Sequence, residues 1–267
     1  VIFSKYFFPA AHRDLIWQLA RREVLSRYRG SLLGIGWSLV TPLLMLVVYT
    51  FVFVGVFKAR WPGAEQAGGH VFAMYLFAGL SVFNLFSDVA GRSPRLVVEQ
   101  PNLVTKVVFP LEVLAWVSVL AGLFHWVISW VILIVGAGLI MGTVHGTAFF
   151  APLALLPFLP FLLGMSWLFS ALGVYLRDMS QLMSLLVSLS LFLSPVFYSS
   201  TSLTPVMQDV LHANPLTAVI ENLRWMVLEG EWPQWRAMGL YVLVAGLFAC
   251  AAAWFFEKSR AGFADVL

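Results

Sequence analysis

Residues 36–57, GWSLVTPLLMLVVYTFVFVGVF, carry no charged side chain. As a helix, a stretch of this length crosses the roughly 30 Å hydrocarbon core of a bilayer, for which about 20 apolar residues suffice. Five more apolar stretches follow, at 71–90, 114–140, 147–174, 182–199 and 237–256. Their interiors hold almost no formal charge, an avoidance that a buried helix of a soluble protein does not need. The pattern predicts an all-α integral membrane protein with six transmembrane helices per subunit. Composition agrees, since 61% of the residues are hydrophobic and 11% charged, far from the soluble average.

The basic residues sort to one side of these stretches. Twelve of the sixteen Lys and Arg fall in the N-terminal segment, the second and fourth connections and the C-terminus. The other four are Lys58, Arg60, Arg224 and Arg236. The positive-inside rule then places both termini in the cytoplasm of a multi-pass protein. The net charge of +3 reads as cationic anchors at lipid headgroups, and no nucleic-acid partner is expected. Cys250 is the single cysteine, so no internal disulfide forms. No cleavable leader is expected either, because the first apolar run begins behind a charged segment and is long enough to remain as an anchor. The chain, 1–267, reads as one transmembrane domain. Residues 1–35 form an interface helix and mouth loop, 36–256 the bundle, and 257–267 a cytoplasmic tail.

The connections carry structure of their own. Ala10 to Tyr28 lacks Gly and Pro and is rich in helix formers. On a helical wheel Asp14, Gln18, Arg21, Arg22 and Arg29 share a face. Ile16, Trp17, Leu19, Ala20 and Val24 lie largely opposite, with Arg13, Glu23, Leu25 and Arg27 breaking the pattern. Such a basic amphipathic helix lies in the membrane interface or packs on the base of the protein. Either way Arg21 and Arg22 are within reach of a cytoplasmic partner. In the second connection, 91–110, Ser93-Pro94 is a helix start, and Pro101 ends that helix after two turns. Asn102 caps a second short helix through Phe109. Arg95, Glu99 and Lys106 on these helices suggest a docking surface, the alternative being an ordinary compact loop. In the fifth connection, 200–236, Thr204-Pro205 and Asn214-Pro215 are helix starts. The run 216–228 is apolar but too short to span, and it holds Glu221 and Arg224. It reads as an outer re-entrant or interfacial segment, with Trp225, Trp232 and Trp235 at headgroup level.

No Gly-x-x-x-x-Gly-Lys-Ser/Thr loop is present, so ATP is not bound by that route. Asp88, Glu112 and Asp178 fall near span ends, and His125 is the one titratable group near mid-depth. A lone membrane histidine usually bonds one helix to another. No metal-binding or nucleophile motif occurs, so neither a catalytic residue nor a metal site is expected. A membrane protein with a docking surface and no engine implies an engine on another chain. Aromatic residues, at 15%, are the abundant resource. Tyr49, Phe53, Trp126 and Trp130 are candidates for an aromatic conduit, because aromatic faces stack on sugar rings and tolerate a bilayer. The bland alternative for each is packing or lipid contact.

The run Arg27 to Pro42, RYRGSLLGIGWSLVTP, resembles the entry to the first span in permeases of the ABC-2 polysaccharide and polyol-phosphate exporters. The likeness continues in Asn102 to Pro110 (NLVTKVVFP), in Tyr175-Leu176-Arg177-Asp178, in Ser194-Pro195-Val196-Phe197-Tyr198 and in Asn214-Pro215. This family includes permease subunits of O-antigen, teichoic acid and capsule exporters. The resemblance implies a homodimer of six-span subunits with two separate ATPase subunits, which bind the ATP and magnesium that this chain does not. It implies ATPase contacts on the N-terminal helix and on 91–110, and a cytoplasmic gate at Leu33-Gly34. It also implies an outer gate after Tyr198, and a lipid-linked polysaccharide as cargo in a bacterial inner membrane. Two other readings remain, an ABC-2 exporter of a drug or small lipid and a membrane enzyme acting on lipid-linked sugars. The enzyme needs carboxylates or histidines converging on one face, and none converge in the sequence. The neighbouring gene discriminates among the three: an ATPase beside glycosyltransferases would support the polysaccharide exporter, an ATPase alone the drug or lipid exporter, and no ATPase the enzyme.

Overall fold

The computed structural model describes residues 2–7, 9–58, 61–62, 69–105 and 109–267. Among these the regular elements are all helical. They are α1 (Ile2–Phe7), α2 (Arg13–Arg27), α3 (Trp37–Tyr49), α4 (Gly69–Arg92), α5 (Pro101–Thr105) and α6 (Val113–Gly136). Then come α7 (Phe158–Tyr175), α8 (Met179–Leu193), α9 (Pro205–His212), α10 (Pro215–Arg224), α11 (Trp235–Arg260) and α12 (Phe263–Val266). Tighter or wider turns lengthen several of them. Five continuous helices are long and apolar enough to cross a membrane: Gly34–Val56, Gly69–Arg95, Val113–Met141, Gly146–Tyr175 and Trp235–Arg260.

The fifth apolar stretch behaves differently. Its helix α8 has 15 residues, about 22 Å at 1.5 Å per residue, which is shorter than a bilayer core of about 30 Å. The chain leaves α8 in an extended conformation at Ser194, and Pro195 follows.

α4 is the hub. It is buried without interruption from Val71 to Phe83 and over most of the rest, and a polar stripe of Asn84, Asp88 and Arg92 opens toward its C-terminal end. α3 is its opposite, with Leu39, Leu43, Leu44, Val47, Val48 and Phe51 all exposed. α7 and α11 run against each other, and at Gly164 the backbone of Ala249 comes so close that no side chain would fit.

Both termini meet at one end of the bundle. Tyr6 on α1 donates its hydroxyl to Glu257 at 2.6 Å, and its carbonyl accepts from the Trp116 indole at 2.8 Å. Arg260 donates to the Phe109 carbonyl at 2.8 Å, and Tyr175 to the Ser259 carbonyl at 2.7 Å. At the opposite end Thr147 bonds the Met226 carbonyl at 2.6 Å, and Phe150 packs on Trp232.

The second connection departs from expectation. A single tighter turn, Ser93–Arg95, does begin here with Pro94 in it, but Ser93 does not cap it. The Ser93 hydroxyl instead bonds the Val89 carbonyl one turn back in α4 at 2.6 Å. Pro101 begins α5 rather than ending a helix, at the first-turn position where its missing N–H costs nothing. Asn102 is therefore inside α5, and Lys106 lies outside the described residues.

Candidate functional site

At the basic end, Ile16, Ala20 and Val24 recur every fourth residue on α2 and form its buried face, Ile16 and Ala20 packing with Val113 and Val117 of α6. Trp17 stays exposed on another side. The polar side of α2 is clamped to α4. Glu23 pairs with Arg92 and lies 3.8 Å from Arg27, which reaches Asp88 at 2.9 Å. Arg21 is exposed. Arg22 and Glu99 both line one cleft of about 50 Å³, so two candidate docking residues distant in sequence share one patch of surface. Arg95 and Glu99 face solvent, 3.9 Å apart.

A second cluster joins the termini to α6. Glu112 is fully buried, 3.0 Å from both Lys5 and Arg260. Burial, reinforced by the hydrogen bond to Glu257, pushes the Tyr6 phenol up, so it remains a donor. Sequence reasoning missed this cluster, because Lys5, Glu112 and Arg260 each read as an ordinary end-of-span charge.

The mouth loop follows α2. Leu33 is exposed, and Gly34 has φ +53, a left-handed conformation that glycine adopts without penalty. Tyr28, at the foot of this loop, bonds His125 Nε2 at 2.7 Å. His125 Nδ1 lies 2.8 Å from the Ala121 carbonyl. A carbonyl only accepts, so Nδ1 carries the proton and the neutral ring's Nε2 accepts from Tyr28. Burial raises the Tyr28 phenol, which keeps that donor protonated. The mid-depth histidine is thus a tether to the mouth loop.

Beside this tether lies a cavity of about 290 Å³ between α3, α4 and α6, with Arg27 and Asp88 among its lining residues. Trp126 also lines it, buried and, among the described residues, without an acceptor for its indole N–H. Trp130 stacks on Trp126, the ring centroids 6.2 Å apart, and donates to the Ala148 carbonyl at 3.0 Å. Both tryptophans therefore sit inside the subunit. Tyr49 and Phe53 are half-buried near the far end of the first span, where Phe53 stacks on Phe72 and Phe197.

At that far end, Arg224 is buried at 3% exposure. It donates to the carbonyls of Tyr75 at 3.0 Å, Pro195 at 2.6 Å and Val196 at 2.9 Å. Its guanidinium lies 4.5 Å from the centre of the Trp61 ring, which stacks on Tyr75. Asn214 caps α10 through the Leu216 N–H and donates to the Leu193 carbonyl and the Ser194 hydroxyl. These two residues satisfy the backbone where α8 stops, as an apolar environment requires of a helix end. Gly79 makes room for Arg224, since a Cβ there would stand 2.7 Å from Arg224 Nη2. The sequence flagged 216–228 by the polar residues in an apolar run. It did not show that Arg224 serves another segment's carbonyls.

The comparisons with known proteins agree with this architecture. Residues 14–228 match the family described as ABC-2 type transporter. The O-antigen export system permease protein RfbA of Myxococcus xanthus is 29% identical over 259 residues, covering 95% of each chain. A Klebsiella pneumoniae protein of the same name is 24% identical, again over 95% of each chain, and a second from that organism is 22% identical. With most of its length matched and five span-length apolar helices, the chain belongs to the ABC-2 type transporter family and is a multi-pass membrane protein.

Proposed function

We propose that the chain is the permease subunit of an ATP-driven exporter that moves a lipid-linked polysaccharide, O-antigen in the first place, across the bacterial inner membrane. One observation carries this reading: the likeness to O-antigen export permeases runs through 95% of both chains. In this reading α8 and the turn after it make the sixth span, both termini are cytoplasmic, and α10 is the outer re-entrant segment. The bias of Lys and Arg supports that orientation. The gathering of both termini and Phe109 at one end supports an even number of crossings.

Two copies of the permease pair with two ATPase subunits, which hold ATP and magnesium. The exposed apolar length of α3 is available to a second copy. The ATPase docks on α2 and on residues 91–110, through Arg21, Arg22, Arg95, Glu99 and Lys106. The clamp from Glu23 and Arg27 to Arg92 and Asp88 passes its movement to α4. Leu33-Gly34 gates the cytoplasmic mouth, and Tyr49 and Phe53 belong to the aromatic conduit, whereas Trp126 and Trp130, turned into the subunit, reach the cargo only by way of the cavity between α3, α4 and α6. Residues 1–35, 36–256 and 257–267 serve as interface, bundle and tail of one domain.

Deletion of the gene in its host, followed by analysis of surface glycan, tests the reading. The expected result is loss of the glycan from the surface with lipid-linked polymer retained inside, restored by the gene in trans. An unchanged surface would sink it.

A further inference from the structure

We propose that the cavity between α3, α4 and α6 is a sugar subsite, taking one neutral pyranose residue of the cargo. This rests on the export reading above. The cavity, at about 290 Å³, holds the volume of roughly ten waters, which suits a single ring with its hydroxyls rather than a length of polymer. Its walls combine the rings of Trp37 and Trp126 with the polar side chains of Thr41, Ser81, Asn84 and Ser129. Aromatic faces beside convergent donors and acceptors match a molecule with apolar ring faces and a hydroxyl rim.

Charge narrows the class. Arg27 and Asp88 also line the cavity, and they neutralise each other at 2.9 Å. His125 is bonded as a neutral ring between Tyr28 and the Ala121 carbonyl. A site for phosphate would leave its cation unpaired; a site for an acyl chain would not line itself with hydroxyls and an amide. The hydroxyls of Ser81 and Ser129 donate to carbonyls of their own helices at 2.8 Å and 3.3 Å, so their lone pairs remain free to accept from a ligand.

Trp126 supplies the independent observation. It is 3% exposed, and among the described residues its indole N–H has no acceptor, whereas its neighbour Trp130 is bonded. A buried donor left without a partner is costly. The nitrogen is closed off from the cavity in this state, so a sugar hydroxyl becomes its acceptor only as the lining side chains open around the ring. The Tyr28–His125 tether puts the mouth loop against this site, so a residue of the glycan is held where the polymer enters.

The test uses the full-length chain in phospholipid nanodiscs free of glycolipid, photolabelled with a diazirine-bearing methyl glucoside. A diazirine-bearing cyclohexanol of similar size is the control. The expected result is labelling of peptides from α4 and α6, competed by unlabelled methyl hexosides and not given by the control. Trp126→Phe keeps the ring and removes the N–H. It should reduce labelling about three- to ten-fold, the worth of one hydrogen bond, and slow export in cells, while Trp254→Phe on the outside of α11 changes neither. Ser129→Ala gives a second reading if Trp126→Phe folds poorly. Equal labelling by the control overturns the sugar site. Lost labelling with unchanged export overturns its assignment to cargo. If deletion of the gene leaves surface glycan intact, the export reading has failed instead.

Discussion

At the scale of single residues, Arg224 is a charge buried at 3% exposure and hard to replace. Its three donated bonds go to carbonyls from two segments, and the Trp61 face covers the guanidinium. A planar fork reaches several acceptors at once, which a lysine ammonium on a flexible stem does not. Each buried acceptor left unpaired costs about 1–3 kcal/mol. Arg224→Met should therefore lower the melting temperature of the detergent-purified protein substantially, and Arg224→Lys should recover little of the loss. Full recovery by lysine would mean that charge matters there and the fork does not. Gly79→Ala should shift melting in the same direction, because its methyl group enters the space of the same guanidinium and approaches the Val196 backbone.

Among the elements, the long apolar helices were legible in the sequence because apolar runs and flanking cations are local signals. α2 was legible for the same reason, and its apolar residues Ile16, Ala20 and Val24 do form the buried face. The end of α8 was not legible, because Asn214 and Arg224, which complete its backbone bonding, come later in the chain. Ser93 misled for a related reason: the hydroxyl that can cap a new helix can equally bond back into the old one. Trp126 was singled out by its spacing from Trp130, and only folding showed a cavity beside it. The clamp between α2 and α4 gives an element-scale prediction. Glu23 lies between Arg27 and Arg92, so Glu23→Lys places three cations together. These groups are about a quarter exposed, which limits each pair to roughly 1 kcal/mol. Trypsin should cut within α2 several-fold faster in this variant, with the bundle intact. An unchanged cleavage rate would mean that the apolar face alone holds α2.

For the whole molecule the question is what covers α3. Its exposed leucines, valines and Phe51 face either lipid or another protein, and hydrophobicity does not distinguish these within a bilayer. Orientation comes first. In a Cys250→Ser background, a cysteine at Gln234 should react with a membrane-impermeant thiol reagent on intact spheroplasts, and cysteines at Ala10 and Ala261 should not. The reverse pattern would invert every side assigned above. In the same background, Val47→Cys, Val48→Cys and Phe51→Cys then test pairing. A second copy related by two-fold symmetry brings a residue near the axis close to its own equivalent. Oxidation should therefore join two chains through one or two of these positions, whereas a cysteine at Leu243, exposed on α11, should stay single. Cross-linking that follows the helical period along α3 would place α3 at the dimer seam. Equal cross-linking at all positions, Leu243 included, would report random collision in the membrane. No cross-linking along α3 would leave that helix to lipid, and the conduit between copies would have to be built on another face.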